Sequence, residues 1–205
     1  MRIGIYGGSY NPIHNGHTAL AQWLVTEGYV DELWLVVSPQ NPLKRHDDLL
    51  DDEARLYLAR LALHDLPDDM QLRIRVSDVE FRLPRPSYMA DTLAYLRSMH
   101  PEDTFCLVVG ADNWARFRQW VRPEEILQHH PLLVFPRDGY PLDKTMSETS
   151  HSRVTFLDAP RYDISSTQLR GVLSSDPDFC ARHLSPSVWD EIRREGYYAK
   201  AKART

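Results

Sequence analysis

Cysteine is scarce in this sequence: Cys106 and Cys180 are the only two among 205 residues. They stand far apart and neither belongs to a close metal-type pair, so a zinc site built on paired cysteines is excluded. Cys106 sits inside the apolar run Thr104-Phe105-Cys106-Leu107-Val108-Val109, where a buried thiol is expected and a disulfide to Cys180 is not. Long apolar stretches are also missing. No run approaches the roughly 20 residues needed to cross a bilayer, and the N-terminus opens on a short apolar strand instead of a signal-peptide pattern. A cytoplasmic protein without a membrane partner is therefore expected. An excess of positive charge is lacking too: 24 Lys and Arg against 29 Asp and Glu leave a formal net charge of −5. With no basic, aromatic-interleaved patch, nucleic acid is not an expected partner. An anionic small substrate stays open, because a local cluster of Arg, Lys and His can dominate a cleft. Neither a P-loop GxxxxGK[ST] nor a GxGxxG dinucleotide fingerprint occurs, which disfavours a kinase or an NAD-dependent dehydrogenase.

What is present is the composition of a globular chain, 42% apolar and 26% charged, long enough to bury a core in one domain spanning 1–205. Arg2 to Tyr6 reads as a strand stopped by Gly7-Gly8, and His17 to Glu27 carries helical spacing that ends at Gly28. Leu33 to Val37 reads as the next strand. Strand, helix, strand is the βαβ unit of a parallel sheet. A helix is expected after Asp51-Asp52-Glu53, an alternating strand at Leu72, Ile74 and Val76, and a helix capped by Ser87 running through Leu96. Further strands are expected at Phe105 to Val109, Leu132 to Phe135 and Val154 to Leu157. Helices at Ser166 to Leu173 and Ser187 to Glu195 form a C-terminal helical part of about 165–197, before a frayed tail at 198–205. The fold class is α/β, a doubly wound parallel sheet of Rossmann-like type. Asp138 to Ser152 has no periodicity and reads either as a surface loop or as a flap over a site. The oligomeric state is open, a homo-oligomer included.

The most informative segment is Gly7-Gly8-Ser9-Tyr10-Asn11-Pro12-Ile13-His14-Asn15-Gly16-His17. Glycines after a strand let backbone approach a ligand, and N–H groups at a helix start attract phosphate. Histidine here can donate to a phosphate oxygen and adapt its charge to the anion. Taken alone, His14 and His17 read as structural, satisfying backbone groups at the turn; a catalytic zinc would need a third ligand, and none is evident. A second segment, Ile164-Ser165-Ser166-Thr167-Gln168-Leu169-Arg170, offers hydroxyls at a helix start with Arg170 one turn further on. Alone, Ser166 and Thr167 read as capping residues.

The first segment resembles the GxFxPxHxGH signature of the adenylyl- and cytidylyltransferase superfamily, with Tyr10 in place of the usual phenylalanine; the second resembles its ISSTxxR signature without a mismatch. Between them, Pro86-Ser87-Tyr88 with Thr92-Leu93, then Gly110-Ala111-Asp112, Trp120, Ile126-Leu127 and Arg137-Asp138-Gly139-Tyr140-Pro141 look like the bacterial nicotinate-nucleotide adenylyltransferases. The resemblance covers roughly Met1 to Tyr197. It implies transfer of the adenylyl group of ATP to the 5′-phosphate of nicotinate mononucleotide, giving deamido-NAD and pyrophosphate, with Mg²⁺ accompanying ATP. It implies His14 and His17 as catalytic residues, and an ATP site formed by Gly7, Gly8, Ser9, Tyr10, Gly16, Ile164, Ser166, Thr167 and Arg170. Lys44 and Arg45, in a segment similar to the family's NPPHK loop, are implied phosphate contacts, although each also reads as a plain surface charge. Ser87, Tyr88, Asp112, Trp120 and Arg137 are implied on the acceptor side. Asp112 alone could cap the next helix, and Trp120 alone reads as core, whereas the resemblance implies a stacking face for a pyridine ring. Leu43-Lys44 for the usual Pro-His, and Met89 for the common threonine, are departures from the pattern. Rival readings are another acceptor, nicotinamide mononucleotide or phosphopantetheine, and a non-catalytic nucleotide-binding module.

Overall fold

The computed structural model describes residues 1–39, 49–141 and 153–198. Apolar runs of strand length become β1 (Arg2–Gly8), β2 (Glu32–Val37), β3 (Ile74–Ser77), β4 (Thr104–Gly110), β5 (Leu132–Phe135) and β6 (Val154–Phe156). They pair in the order β3-β2-β1-β4-β5-β6, and every pairing is parallel. Ile5 lies opposite Trp34 on one side and Leu107 on the other, which fixes the register of the three central strands.

Alternate residues of each strand feed opposite faces, as the two-residue period of a strand requires. From β4, Cys106 and Val108 enter one core and Phe105, Leu107 and Val109 the other. The described helices are α1 (Asn15–Thr26), α2 (Asp52–His64), α3 (Asp68–Gln71), α4 (Met89–Met99), α5 (Ala111–Trp114), α6 (Pro123–His129), α7 (Ser166–Val172), α8 (Pro177–His183) and α9 (Pro186–Glu195). Helices α1, α2, α7, α8 and α9 cover the first face; α4, α5 and α6 cover the second. Such two-sided cover is the usual companion of an all-parallel sheet with apolar strands.

The expected α/β doubly wound sheet is thus the fold observed, with local differences. Leu72 is not in a strand: it caps α3, its N–H reaching the Asp68 carbonyl at 3.3 Å, and it is exposed. Ser87 does not cap α4. Tyr88 occupies that position, while Ser87 is buried beside Glu80, whose carboxyl burial pushes up in pKa and the hydroxyls of Ser38, Thr92 and Ser87 draw partly back. Helices α3, α6 (with Pro123 in its first turn) and α8, opened by an Asp176 cap and Pro177, are additions to the expected elements. Gly28 and Gly196 do end α1 and α9, both at positive φ (71° and 66°), the left-handed conformation that glycine adopts without a Cβ penalty. Tyr198 packs against the first core with its hydroxyl buried, so packed chain reaches that residue; 199–205 lie outside the described residues.

Candidate active site

With strand order 3-2-1-4-5-6, chain connections leave β1 and β4 in opposite directions, and a crevice opens at the carboxyl ends of these two strands. A cleft of about 280 Å³ lies there. Its walls come from Tyr6 at the end of β1, His14, Gly16 and His17 at the start of α1, and Asp112 after β4. Phe135 and Arg137 after β5 and the stretch Tyr162 to Ser165 after β6 complete them.

The turn into α1 is tightly specified. Tyr10 has φ of 45°, a left-handed conformation unusual for a bulky residue. Its ring is buried and its hydroxyl donates to the Tyr6 carbonyl at 2.5 Å. A phenylalanine could not make that bond, so the departure at this position is internally satisfied. Gly16 is required by close approach: a Cβ there would meet Ile164 Cγ2 at 3.0 Å, His14 Nδ1 at 3.1 Å and Tyr162 Cβ at 3.1 Å. Gly7 faces the Met89 methyl, 2.6 Å from where a Cβ would stand, which sets the start of α4 against the end of β1.

His14 and His17 stack, with ring centroids 3.7 Å apart and planes inclined by 27°. The His14 backbone N–H donates to His17 Nδ1 at 3.2 Å. An accepting Nδ1 leaves Nε2 as the nitrogen that carries the proton, a donor on a ring that lines the cleft. His14 is only 4% exposed, and burial, with Arg137 and His183 nearby, lowers its pKa to about 3. It is uncharged at neutral pH, and its buried Nδ1 has no hydrogen-bond partner among the described residues.

The second motif packs directly on the first. Ser166 Oγ donates to the Pro12 carbonyl at 2.8 Å, and Arg170 donates to the Asn11 carbonyl at 2.6 Å and to Thr167 Oγ1 at 3.4 Å. Ser165, not Ser166, is the cap of α7, accepting from the Gln168 N–H at 3.2 Å. Across the cleft, Arg137 Nε lies 3.7 Å from Asp112 Oδ1, and its guanidinium stands over the Phe135 ring at 5.6 Å. Asp112 does not cap α5; it lies in the first turn behind Gly110, with Oδ1 buried and without a hydrogen-bond partner among the described residues. The Arg137-Asp138-Gly139-Tyr140 segment is a turn closed by an Arg137–Tyr140 bridge, with Gly139 at φ 77°.

Of the residues singled out in the sequence, His14, Gly16, His17, Asp112, Arg137 and Ile164 come together on the cleft wall. Gly7, Gly8, Ser9, Tyr10, Ser166, Thr167 and Arg170 are not among the residues that line it; Ser9 and Tyr10 are buried and Thr167 is exposed. Ser87, Tyr88 and Trp120 do not line this cleft; Trp120 is half-buried against Phe117, centroids 5.3 Å apart. Lys44 and Arg45, and residues 142–152 of the expected loop or flap, lie outside the described residues. The cleft also takes in Arg161, ion-paired with Asp138 at 3.0 Å, which no motif pointed to.

A cytidylyltransferase-like family model matches residues 5–172, and so contains both motifs and everything between them. The relative named probable nicotinate-nucleotide adenylyltransferase in Bacteroides thetaiotaomicron is 43% identical, the match covering 94% of this chain and 91% of that one. The chain belongs to this family. A relative of the same name in Flavobacterium psychrophilum is 38% identical over 98% of this chain and 100% of its own. Among solved structures, the nicotinic acid mononucleotide adenylyltransferase of Plasmodium falciparum, complexed with NaAD, superposes with a TM-score of 0.84 at 20% identity, over 96% of this chain and 97% of that one. At that identity the likeness is one of fold. Family membership makes the chain a nucleotidyltransferase, and the described helices include none long and apolar enough to cross a membrane.

Proposed function

We propose that the chain transfers the adenylyl group of ATP to the 5′-phosphate of nicotinate mononucleotide, releasing pyrophosphate and forming deamido-NAD. The observation that carries this reading is the stacked histidine pair at the start of α1, held by Gly16 at the crevice between β1 and β4. Curated relatives covering nearly the whole chain, named for this reaction, support the choice of acceptor.

The reaction is an in-line displacement. An acceptor phosphate oxygen bonds to the α-phosphorus as the bond from that phosphorus to the pyrophosphate oxygen breaks. The attacking oxygen is already anionic, so no general base is needed. No protein nucleophile is needed either, because phosphoryl-type transfer runs on positioning and charge stabilisation. His17 donates from Nε2 to a phosphate oxygen, and its donation strengthens as charge develops. His14, uncharged in the free protein, gains a reason to hold a proton when a polyanion sits beside it. Arg170 and Ser166 hold the backbone carbonyls of Asn11 and Pro12 in the free protein, Thr167 accepts from Arg170, and in the reaction all three turn to the β- and γ-phosphates.

Mg²⁺ bound with ATP would neutralise phosphate charge. Among the described residues no cluster of three or more candidate ligands exists, while the Asp112 carboxylate has a buried oxygen without a hydrogen-bond partner. One carboxylate beside a triphosphate fits an ion held mainly by phosphate oxygens and water.

Pyrophosphate release from ATP and Mg²⁺ with nicotinate mononucleotide, nicotinamide mononucleotide or phosphopantetheine tests the proposal. Strong preference for the nicotinate nucleotide is expected. Preference for another acceptor would retain the chemistry and overturn the acceptor, and ATP binding without release from any of them would overturn the reaction.

A further inference from the structure

The largest polar investment in the fold lies outside the cleft. Arg55, in the first turn of α2, is completely buried. A buried guanidinium is stable only when its donors are met, and here the acceptors come from segments far apart in the chain. Nε donates to the Leu50 carbonyl at 2.9 Å. One terminal nitrogen donates to the carbonyls of Ser9 (2.5 Å) and Ser38 (2.8 Å). The other donates to the Pro39 carbonyl at 3.1 Å and to Asp52 Oδ1 at 2.5 Å. Ser9 follows β1 and Ser38-Pro39 follows β2, so one side chain ties together the carboxyl ends of two strands.

Two arms lead outward from this hub. On one, the Leu50 N–H donates to Asn11 Oδ1 at 3.1 Å, and the Asn11 carbonyl accepts from Arg170 at 2.6 Å. That arm joins Arg55 to both phosphate motifs. On the other, Asp52 Oδ2 pairs with Arg85 at 2.9 Å, immediately before Pro86-Ser87-Tyr88, the segment that the family resemblance implies on the acceptor side. Arg55 lines no part of the cleft, and none of its five acceptor residues does; its one direct contact within the two phosphate motifs is with the Ser9 backbone carbonyl.

We infer that Arg55 is a positioning residue: through Leu50–Asn11–Arg170 it sets the nucleotide-phosphate side, and through Asp52–Arg85 it sets the acceptor side. The inference rests on the adenylyl-transfer reading for its kinetic test only. Lysine in place of Arg55 keeps the charge but cannot span five acceptors. In Arg55→Lys, kcat is expected to fall about 10- to 100-fold, the loss typical of displaced reacting groups. Asp52→Ala severs the acceptor arm and removes one of Arg55's five acceptors, leaving its four backbone carbonyls in place: the KM for the pyridine mononucleotide rises several-fold, and the KM for ATP stays within about twofold of wild type.

Amide hydrogen exchange supplies the readout that needs no activity. In Arg55→Lys, exchange is expected to quicken by about tenfold both at Ile13 to Gly16 and at Ser87-Tyr88, while the central strands β1 and β4 keep their protection. A merely structural arginine would alter global protection and leave these two segments no different from the rest. Unchanged exchange at both segments, or equal movement of both KM values in Asp52→Ala, overturns the inference. Should Arg55→Lys fail to fold, Asp52→Ala decides it, by exchange at Ser87-Tyr88 and by its KM split. Absence of turnover in the wild type would instead sink the reaction and leave the exchange test standing.

Discussion

Replacing Gly16 with alanine adds one methyl group at the seam where the two motifs meet, and its consequences can be worked from the contacts. The new carbon would lie 3.0 to 3.1 Å from Ile164, His14 and Tyr162, closer than ordinary van der Waals contact, so each neighbour must move by a few tenths of an ångström. Overpacking of this kind costs roughly 1–3 kcal/mol, and alanine's better helix propensity returns up to about 1 kcal/mol. The net loss is roughly 0–3 kcal/mol, a drop in melting temperature of at most about 12 °C for a chain of this size. Turnover should suffer far more, because the methyl presses on the His14 ring and on the wall opposite it; a fall of about 10- to 100-fold is expected. Gly171 is the control. It lies exposed in α7 with nothing within 4 Å of a Cβ, so Gly171→Ala should hold or slightly raise stability and leave turnover unchanged. The assay pairs a thermal melt with steady-state pyrophosphate release. Turnover of Gly16→Ala within about twofold of wild type would show the cleft wall to be compliant, and the argument from close approach would be wrong.

His17→Ala should cut kcat by at least ~100-fold, the usual loss for one charge-stabilising donor, while the melting temperature falls by at most about 8 °C for the lost acceptor of the His14 N–H; near-normal turnover would remove His17 from the mechanism. His14 carries a pH signature. Its folded pKa of about 3 lies below the unfolded value of ~6.5, so between these values the unfolded chain binds more protons and stability falls as pH falls. From pH 7.5 to 5, wild type should lose about 2 kcal/mol more than His14→Gln in denaturant titrations; parallel pH profiles would refute the buried neutral ring. Cys106 and Cys180 are buried and unpaired, and burial pushes the Cys106 thiol up to about 11. Neither should react with a thiol reagent until the protein unfolds, and rapid labelling of folded protein would contradict that burial.

Much of this was legible from the chain because the signals are local. Strands buried on both faces read as unbroken apolar runs, and the glycines at 28 and 196 stop helices for a conformational reason that sequence expresses directly. Both motifs were readable for the same reason: Gly16 is glycine because of what it must approach. Arg55 was not recognised, although a hint was present. It precedes Ala59 and Ala62 at i, i+4 and i+7, so it lies on the apolar face of α2, where an arginine should prompt the question of what it binds. Its partners are mostly backbone carbonyls, which no sequence displays. Leu72 misled because alternation with Ile74 and Val76 continues one residue pair past the point where α3 claims the backbone. Ser87 misled because a serine before a helix satisfies the capping pattern, while tertiary burial beside Glu80 decided its direction.

The electrostatics resolve an apparent conflict between a chain of net charge −5 and a polyanionic substrate pair. The free cleft is not strongly cationic. His14 is held uncharged by burial, Arg137 stands beside Asp112, Arg161 is paired with Asp138, and Arg170 is spent on the Asn11 carbonyl. Arg137 and Arg161 are therefore partly neutralised by carboxylates, and Arg170 is engaged by a neutral carbonyl, until a phosphate competes for them. Such a site avoids the cost of gathering unpaired charges in a low-dielectric crevice and concentrates its favourable interactions in the liganded state. The same logic sets a limit on affinity, because every arginine recruited must first leave a partner. Asp112→Asn should accordingly tighten the binding of pyrophosphate alone, by freeing Arg137 from a competing charge, as titration calorimetry would register. Weaker binding in that variant would mean that Asp112 organises Arg137 for the phosphate instead of competing with it.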